Sequence, residues 1–187
     1  MSIRHAFAAV TLCASVAQAQ VKLTADLSGR GSTQIGLAQP RAEGAPAPKP
    51  LVVKIDFGQP AVRNRDVPVE LAKLDTIWRL GANVATTLTS DIDLMIGDLM
   101  VPKGAYSLYA VRTAKGYLLI VNKATGQSGA DYDASKDLGR VVLTPRTRQE
   151  VQESLHIALK SADDGSPKGS LLISWGKLDL STSWSVK

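Results

Sequence analysis

The chain has 187 residues, 44% of them hydrophobic and 21% charged. That composition supports one packed domain and excludes wholesale disorder. Lys and Arg outnumber Asp and Glu by 22 to 17, a formal net charge of +5, and aromatics are only 5%. So few aromatics leave little material for a nucleic-acid stacking platform.

The first nineteen residues read as an export signal. Arg4 and His5 precede an acid-free apolar and small-residue run from Ala6 to Ala17, and Ala17-Gln18-Ala19 fits a small-x-small cleavage site before Gln20. The run is too short for a membrane span, so none is expected. Cys13 follows Leu12 rather than a small residue, which disfavours a lipid anchor. Removing 19 residues from 187 leaves 168, without cysteine and with one histidine. Disulfides, thiol nucleophiles and sulfur metal sites are thereby excluded from that chain. Loss of Arg4 lowers the charge by one. The rest is spread thinly, with small clusters at Arg63/Arg65 and Arg146/Arg148. A solvated surface is the plain reading of those clusters, and contact with an anionic envelope surface the sharper one.

Residues 20–50 are expected to hold an N-terminal strand and a loop. Residues 21–27 alternate apolar and polar, residues 28–36 contain Gly29, Gly31 and Gly36, and residues 38–50 carry four of the nine prolines. The Pro-rich stretch cannot be an inner strand and reads as a surface loop. The main domain is expected over 51–187. Leu51, Val53, Ile55 and Phe57 share one face of a strand. Leu71, Leu74 and Trp78 are spaced three and four apart, which predicts a helical turn over 69–77. Ile92, Leu94 and Ile96 alternate before a Gly97-Asp98 turn. Residues 105–112 and 117–122 flank Ala114-Lys115-Gly116 and predict a hairpin. Residues 117–121 are apolar on both faces, as a central strand requires. Alternation continues through 151–159, 171–175 and 178–186, broken by Glu153. About ten short strands argue an all-β antiparallel sandwich or barrel-like fold.

Catalytic vocabulary is sparse. His156 faces away from Leu155 and Ile157, and a lone histidine makes neither a triad nor a zinc or copper ligand set. Ser174-Trp-Gly-Lys177 matches S-x-x-K, but in a strand that spacing points Ser and Lys to opposite sides. The Gly31 to Gly36 spacing lacks the lysine of a phosphate loop. Asp131-Tyr-Asp133-Ala-Ser135 resembles a calcium loop but has Lys136 and Val142 where Gly and Glu are needed. No cofactor and no metal are expected. Paired carboxylates remain open, because their partnership is spatial.

Three segments carry a resemblance: Ile77-Trp-Arg-Leu-Gly-Ala-Asn-Val-Ala-Thr-Thr87, Val101-Pro-Lys-Gly-Ala-Tyr-Ser-Leu-Tyr109, and Val121 to Asp133 continuing to Asp137 and Arg140. They resemble the bacterial exported family called domain of unknown function 2911, over roughly residues 51–175. The resemblance implies an exported β-rich domain and no particular activity. Ser128 stands where an aromatic is common in the family, Gly176 where an acid commonly follows the tryptophan, and the insertion at 38–50 is longer than usual.

Arg79 offers a planar fork of donors, Asn83 both donates and accepts, and Gly81 allows close backbone approach. They either hold a ligand or lock the entry to the next strand. Pro102 and Gly104 set a corner beside a packed Tyr106. The connection bearing Asn122, Lys123 and Tyr132, through to Arg140, is long and polar, as binding loops are. The candidate ligand-binding residues are therefore Arg79, Asn83, Asn122, Lys123 and Tyr132, with no catalytic residue assigned. The expected function is a non-catalytic module of the bacterial envelope that binds an unidentified ligand or protein and no nucleic acid. The alternatives are a carboxylate-dependent hydrolase of carbohydrate or peptidoglycan, using Asp131, Asp133 or Asp137, and a structural envelope protein without a small-molecule site.

Overall fold

The structure, a computed structural model, describes residues 24–187. The signal-like segment, its cut before Gln20 and the first three residues of the strand expected over 21–27 lie outside the described residues. Residues 24–29 of that stretch are not in a strand.

Among the described residues the chain forms ten strands: β1 (Arg30–Leu37), β2 (Leu51–Gly58), β3 (Ile77–Arg79), β4 (Thr86–Ser90), β5 (Leu94–Ile96), β6 (Leu99–Val101), β7 (Gly104–Thr113), β8 (Gly116–Asn122), β9 (Asp137–Ser161) and β10 (Lys168–Val186). They make one sheet in the order β1-β2-β4-β7-β8-β9-β10-β5-β6, with β3 also on β7. Every strand pair is antiparallel. The expected hairpin is present, with Thr113 opposite Gly116.

The sheet curls until it meets itself. Behind β2, Ala61 bridges Ser154 of β9. There the Val62 N–H donates to the Glu153 carbonyl at 2.7 Å and the Leu155 N–H to the Pro60 carbonyl at 3.0 Å. The fold is thus the barrel-like form of the all-β expectation, one sheet rather than two stacked sheets. Alternate residues converge on one interior: Val53, Ile55 and Phe57, then Leu119 and Val121, then Leu155 and Ile157, then Leu171, Ile173 and Trp175. Each such burial contributes roughly 1.5–3 kcal/mol. Trp78 and Trp175 stack within it at 5.7 Å and 13°. The outer face of β8 is covered as well. Ile120 packs with Ala85, Tyr109 and Val111, and Tyr132 lies over them. That explains why residues 117–121 are apolar on both faces.

Three expectations need correction. The N-terminal strand is Arg30–Leu37, and it pairs with β2 over eight positions, so the domain takes in residues before Leu51. Gly31 sits tightly there, since a Cβ would lie 2.8 Å from the end of the Gln59 side chain, which would have to move aside. The helical turn runs over Val67–Leu71, earlier than 69–77. Its start is fixed by Pro68 and by a reciprocal clasp in which the Val69 N–H donates to the Asp66 carboxylate and the Asp66 N–H to Glu70. Finally, β9 and β10 are long, at 25 and 19 residues. Their pairing survives because irregularity is absorbed in place: Gln152 faces Gly176 and Thr147 faces Leu178, so residues 148–151 bulge opposite Lys177 alone.

Candidate functional site

The site begins where β7 loses a neighbour. Arg79 of β3 pairs with Tyr109, and Thr86 of β4 pairs with the next residue, Leu108. Residues 80–85 therefore leave the sheet between two consecutive rungs. The excursion is pinned at its base. Leu80 is fully buried, and the Thr86 hydroxyl donates to its carbonyl. Ala82 lies directly on Gly58, where a Cβ would come within 2.5 Å of the Ala82 carbonyl oxygen. A Cβ on Gly81 would meet the Thr86 hydroxyl at 2.7 Å. Only glycine allows these approaches.

A second loop zips onto the excursion. The Ala85 N–H donates to Gln127 O at 3.1 Å, the Gly129 N–H donates to Asn83 O at 2.8 Å, and Val84 bridges Ser128. Asn83 holds φ +62°, and its side-chain amide donates to Asp26 at 2.8 Å. Gly129 lies so close to Arg79 that a Cβ would be 3.2 Å from the arginine Cδ. Backbone packing, not a polar partner, fixes where the Arg79 stem leaves the loop.

Between this excursion and the chain behind β2 lies a cleft of about 520 Å³, within the range of small-molecule sites. Arg63, Arg65 and Arg79 line it with Ser28, Asn83 and Tyr132, and Trp78 and Trp175 form its apolar side. Among the described residues, no Asp or Glu lines it. The Arg65 guanidinium is committed to the Val62 carbonyl at 2.8 Å and the Ala61 carbonyl at 3.0 Å. Among the described residues, no carboxylate lies within ion-pair distance of Arg63 or Arg79; the five ion pairs all involve other cations. Arginines without a carboxylate partner suit an anionic group by charge and by the shape of their donor fork, and the hydroxyls in the lining are those of Ser28 and Tyr132.

Of the sequence candidates, the structure brings Arg79, Asn83 and Tyr132 to this cleft. Asn122 is fully buried. Its amide nitrogen donates to Asp133 O at 2.8 Å and Asp137 at 2.9 Å, and its oxygen accepts from the Ala124 N–H at 2.9 Å. It shapes the 122–137 connection, with both amide hydrogens already engaged, and does not line the cleft. Lys123 is exposed and does not line the cleft. Tyr132 donates to Asp137 at 2.7 Å and accepts from Arg140 at 3.1 Å, while its ring meets Tyr109 edge-on at 5.0 Å. Burial raises its phenol pKa above the ordinary 10.0, and the bond to Asp137 adds to this against the opposing Arg140 charge.

Two of the three carboxylates of the hydrolase alternative are engaged elsewhere. Asp137 holds Arg140 and Tyr132, and Asp133 caps Ser135, whose hydroxyl and N–H lower its pKa. Neither lines the cleft, and nor does Asp131. His156 is exposed on β9 opposite Ser174. Ser28, Arg63 and Arg65 are the cleft residues that motif reading missed. Arg63/Arg65 stood out only as a small charge cluster, and nothing local shows that closure of the sheet brings it, still exposed, to the cleft.

A family model described as "Protein of unknown function (DUF2911)" matches residues 41–183. No curated protein and no solved structure matches the chain.

Proposed function

The chain belongs to the DUF2911 family, and we propose that within it this protein is a binding module for an anionic small molecule, with no chemistry of its own. One observation carries the reading. Arg79 lines a cleft together with two further arginines and, among the described residues, no carboxylate, and it has no ion-pair partner there. An arginine kept for structure is normally spent on carbonyls or carboxylates, as Arg65 and Arg140 are. The signal-like residues 1–19 support a place in the cell envelope. Intact mass of the protein from a periplasmic fraction should give a chain beginning at Gln20, and a full-length cytoplasmic product would overturn that placement.

The binding reading is tested by thermal unfolding of the purified protein against sulfate, phosphate and small carboxylates at constant ionic strength. A ligand at about a hundred times its Kd stabilises by roughly 2.7 kcal/mol, worth several degrees at this size. Arg79→Ala should abolish the shift while leaving the unliganded melting temperature nearly unchanged. A melting temperature that no anion moves would favour the structural alternative.

A further inference from the structure

We infer that the ligand of this cleft is a dianion, held by Arg63 and Arg79 together. The inference deepens the anion-binding reading and rests on it. Three arginines line the cleft, but the Arg65 guanidinium is already fastened to the carbonyls of Ala61 and Val62. Two guanidinium forks, those of Arg63 and Arg79, remain without a partner among the described residues, and the charge of Arg65 stands beside them. The acids nearest in the hydrogen-bond network are occupied without touching either guanidinium. Asp26 takes the Asn83 amide, and Glu153 takes the backbone N–H of Arg63 at 3.0 Å. Two like charges in one cleft repel each other. A monoanion engages one free fork and leaves the other without a partner; a dianion engages both and offsets more of the positive charge.

The backbone shows how Arg63 is held beside the cleft. Arg63 and the following Asn64 both sit in the left-handed region, at φ +53° and +59°. A side chain there is strained, and no hydrogen bond of the Arg63 side chain offsets it. The turn is imposed from outside, by Glu153 gripping the N–H groups of Val62 and Arg63 through its carbonyl and its carboxylate. Glu153 thus fixes the backbone from which the Arg63 side chain leaves. The two arginines sit on different elements, Arg63 behind β2 and Arg79 at the end of β3. Both carry the planar fork suited to a carboxylate or a phosphate. The dianion can therefore be one phosphate monoester group or two carboxylates on one carbon skeleton, with Trp78 and Trp175 along the apolar part of the cleft.

Calorimetric titration of the whole protein at constant ionic strength separates these cases. The probes are glutarate, the monocarboxylate butyrate, and phenyl phosphate at a pH well above its second pKa of about 6. At least one dianion should bind about tenfold or more tighter than butyrate. Arg63→Ala should remove that advantage and leave butyrate binding unchanged, whereas Arg79→Ala should weaken every probe. Arg63→Gly, which relieves the left-handed strain, should repeat the Arg63→Ala result in a fold at least as stable. Preference for glutarate identifies two separated charges, and preference for phenyl phosphate a single doubly charged group. Equal affinity for butyrate and both dianions, or an Arg63→Ala variant that keeps the preference, overturns the dianion and leaves the anion cleft standing. If no probe binds at all, the anion cleft falls with it.

Discussion

Gly176 shows how far a single position is determined by its surroundings. Its φ is +60°, and a Cβ would lie 2.7 Å from Val67 Cγ2. The left-handed conformation alone costs a side chain about 1–2 kcal/mol, and the overlap with Val67 adds to that. Gly176→Ala should therefore lower the melting temperature by several degrees, and Gly176→Asp, the acid common in the family resemblance, by more. The difference from the usual pattern is thus backed by the local backbone. Tyr132 gives a pH prediction. Its raised phenol pKa means that the folded state favours the neutral form, so this stabilisation is whole below the unfolded value near 10.0 and is lost as pH rises through the folded value. Tyr106 and Tyr117 shift the same way, chiefly by burial. Ultraviolet titration should show folded tyrosines ionising later than in urea, and Tyr132→Phe should remove one late component. At this scale Arg79 and Asn83 were legible, because their motif is local. Arg63 was not, since the grip on its backbone comes from a residue 90 positions away.

Strand alternation was the most readable signal among the elements, for burial on one face forces it. The bulge in β9 escaped notice because Gly176 and residues 148–151 break the period only as a pair. It is held by Asp179, which receives Arg148 at 3.0 and 3.3 Å and the Ser174 hydroxyl at 2.6 Å. Both charged groups are mostly covered, with 28% and 15% of their side chains exposed. Asp179→Ala should then cost about 1.5–3 kcal/mol, read as a lower denaturation midpoint with an unchanged m-value. The helical turn was misplaced for a different reason. Leu71, Leu74 and Trp78 have helical spacing, yet Leu74 is 53% exposed and Trp78 belongs to β3. The real signal was the Asp66, Pro68 and Glu70 cap, which is chemical rather than periodic.

At the scale of the molecule, the 38–50 segment is the long connection of the β1–β2 hairpin, tethered by Gln39 to the Lys49 carbonyl and by Arg41 to the Ala45 carbonyl. Limited proteolysis should cut it first, as exposed loops allow. The two halves should stay together under native conditions, because β1 and β2 pair over eight positions. Separation of the N-terminal fragment on cutting would contradict the closed sheet. That closure also sets a timetable. The Leu159 N–H reaches Thr33 across 126 residues and Arg63 reaches Glu153 across 90. Contacts so distant in the chain incur their loop-closure entropy before any pairing rewards it. Folding should accordingly run in milliseconds to seconds, with the seam forming late and the Arg63 side of the cleft absent until it does. A ligand that needs both sides meets only the finished barrel. In stopped-flow experiments it should slow unfolding and leave the folding rate untouched.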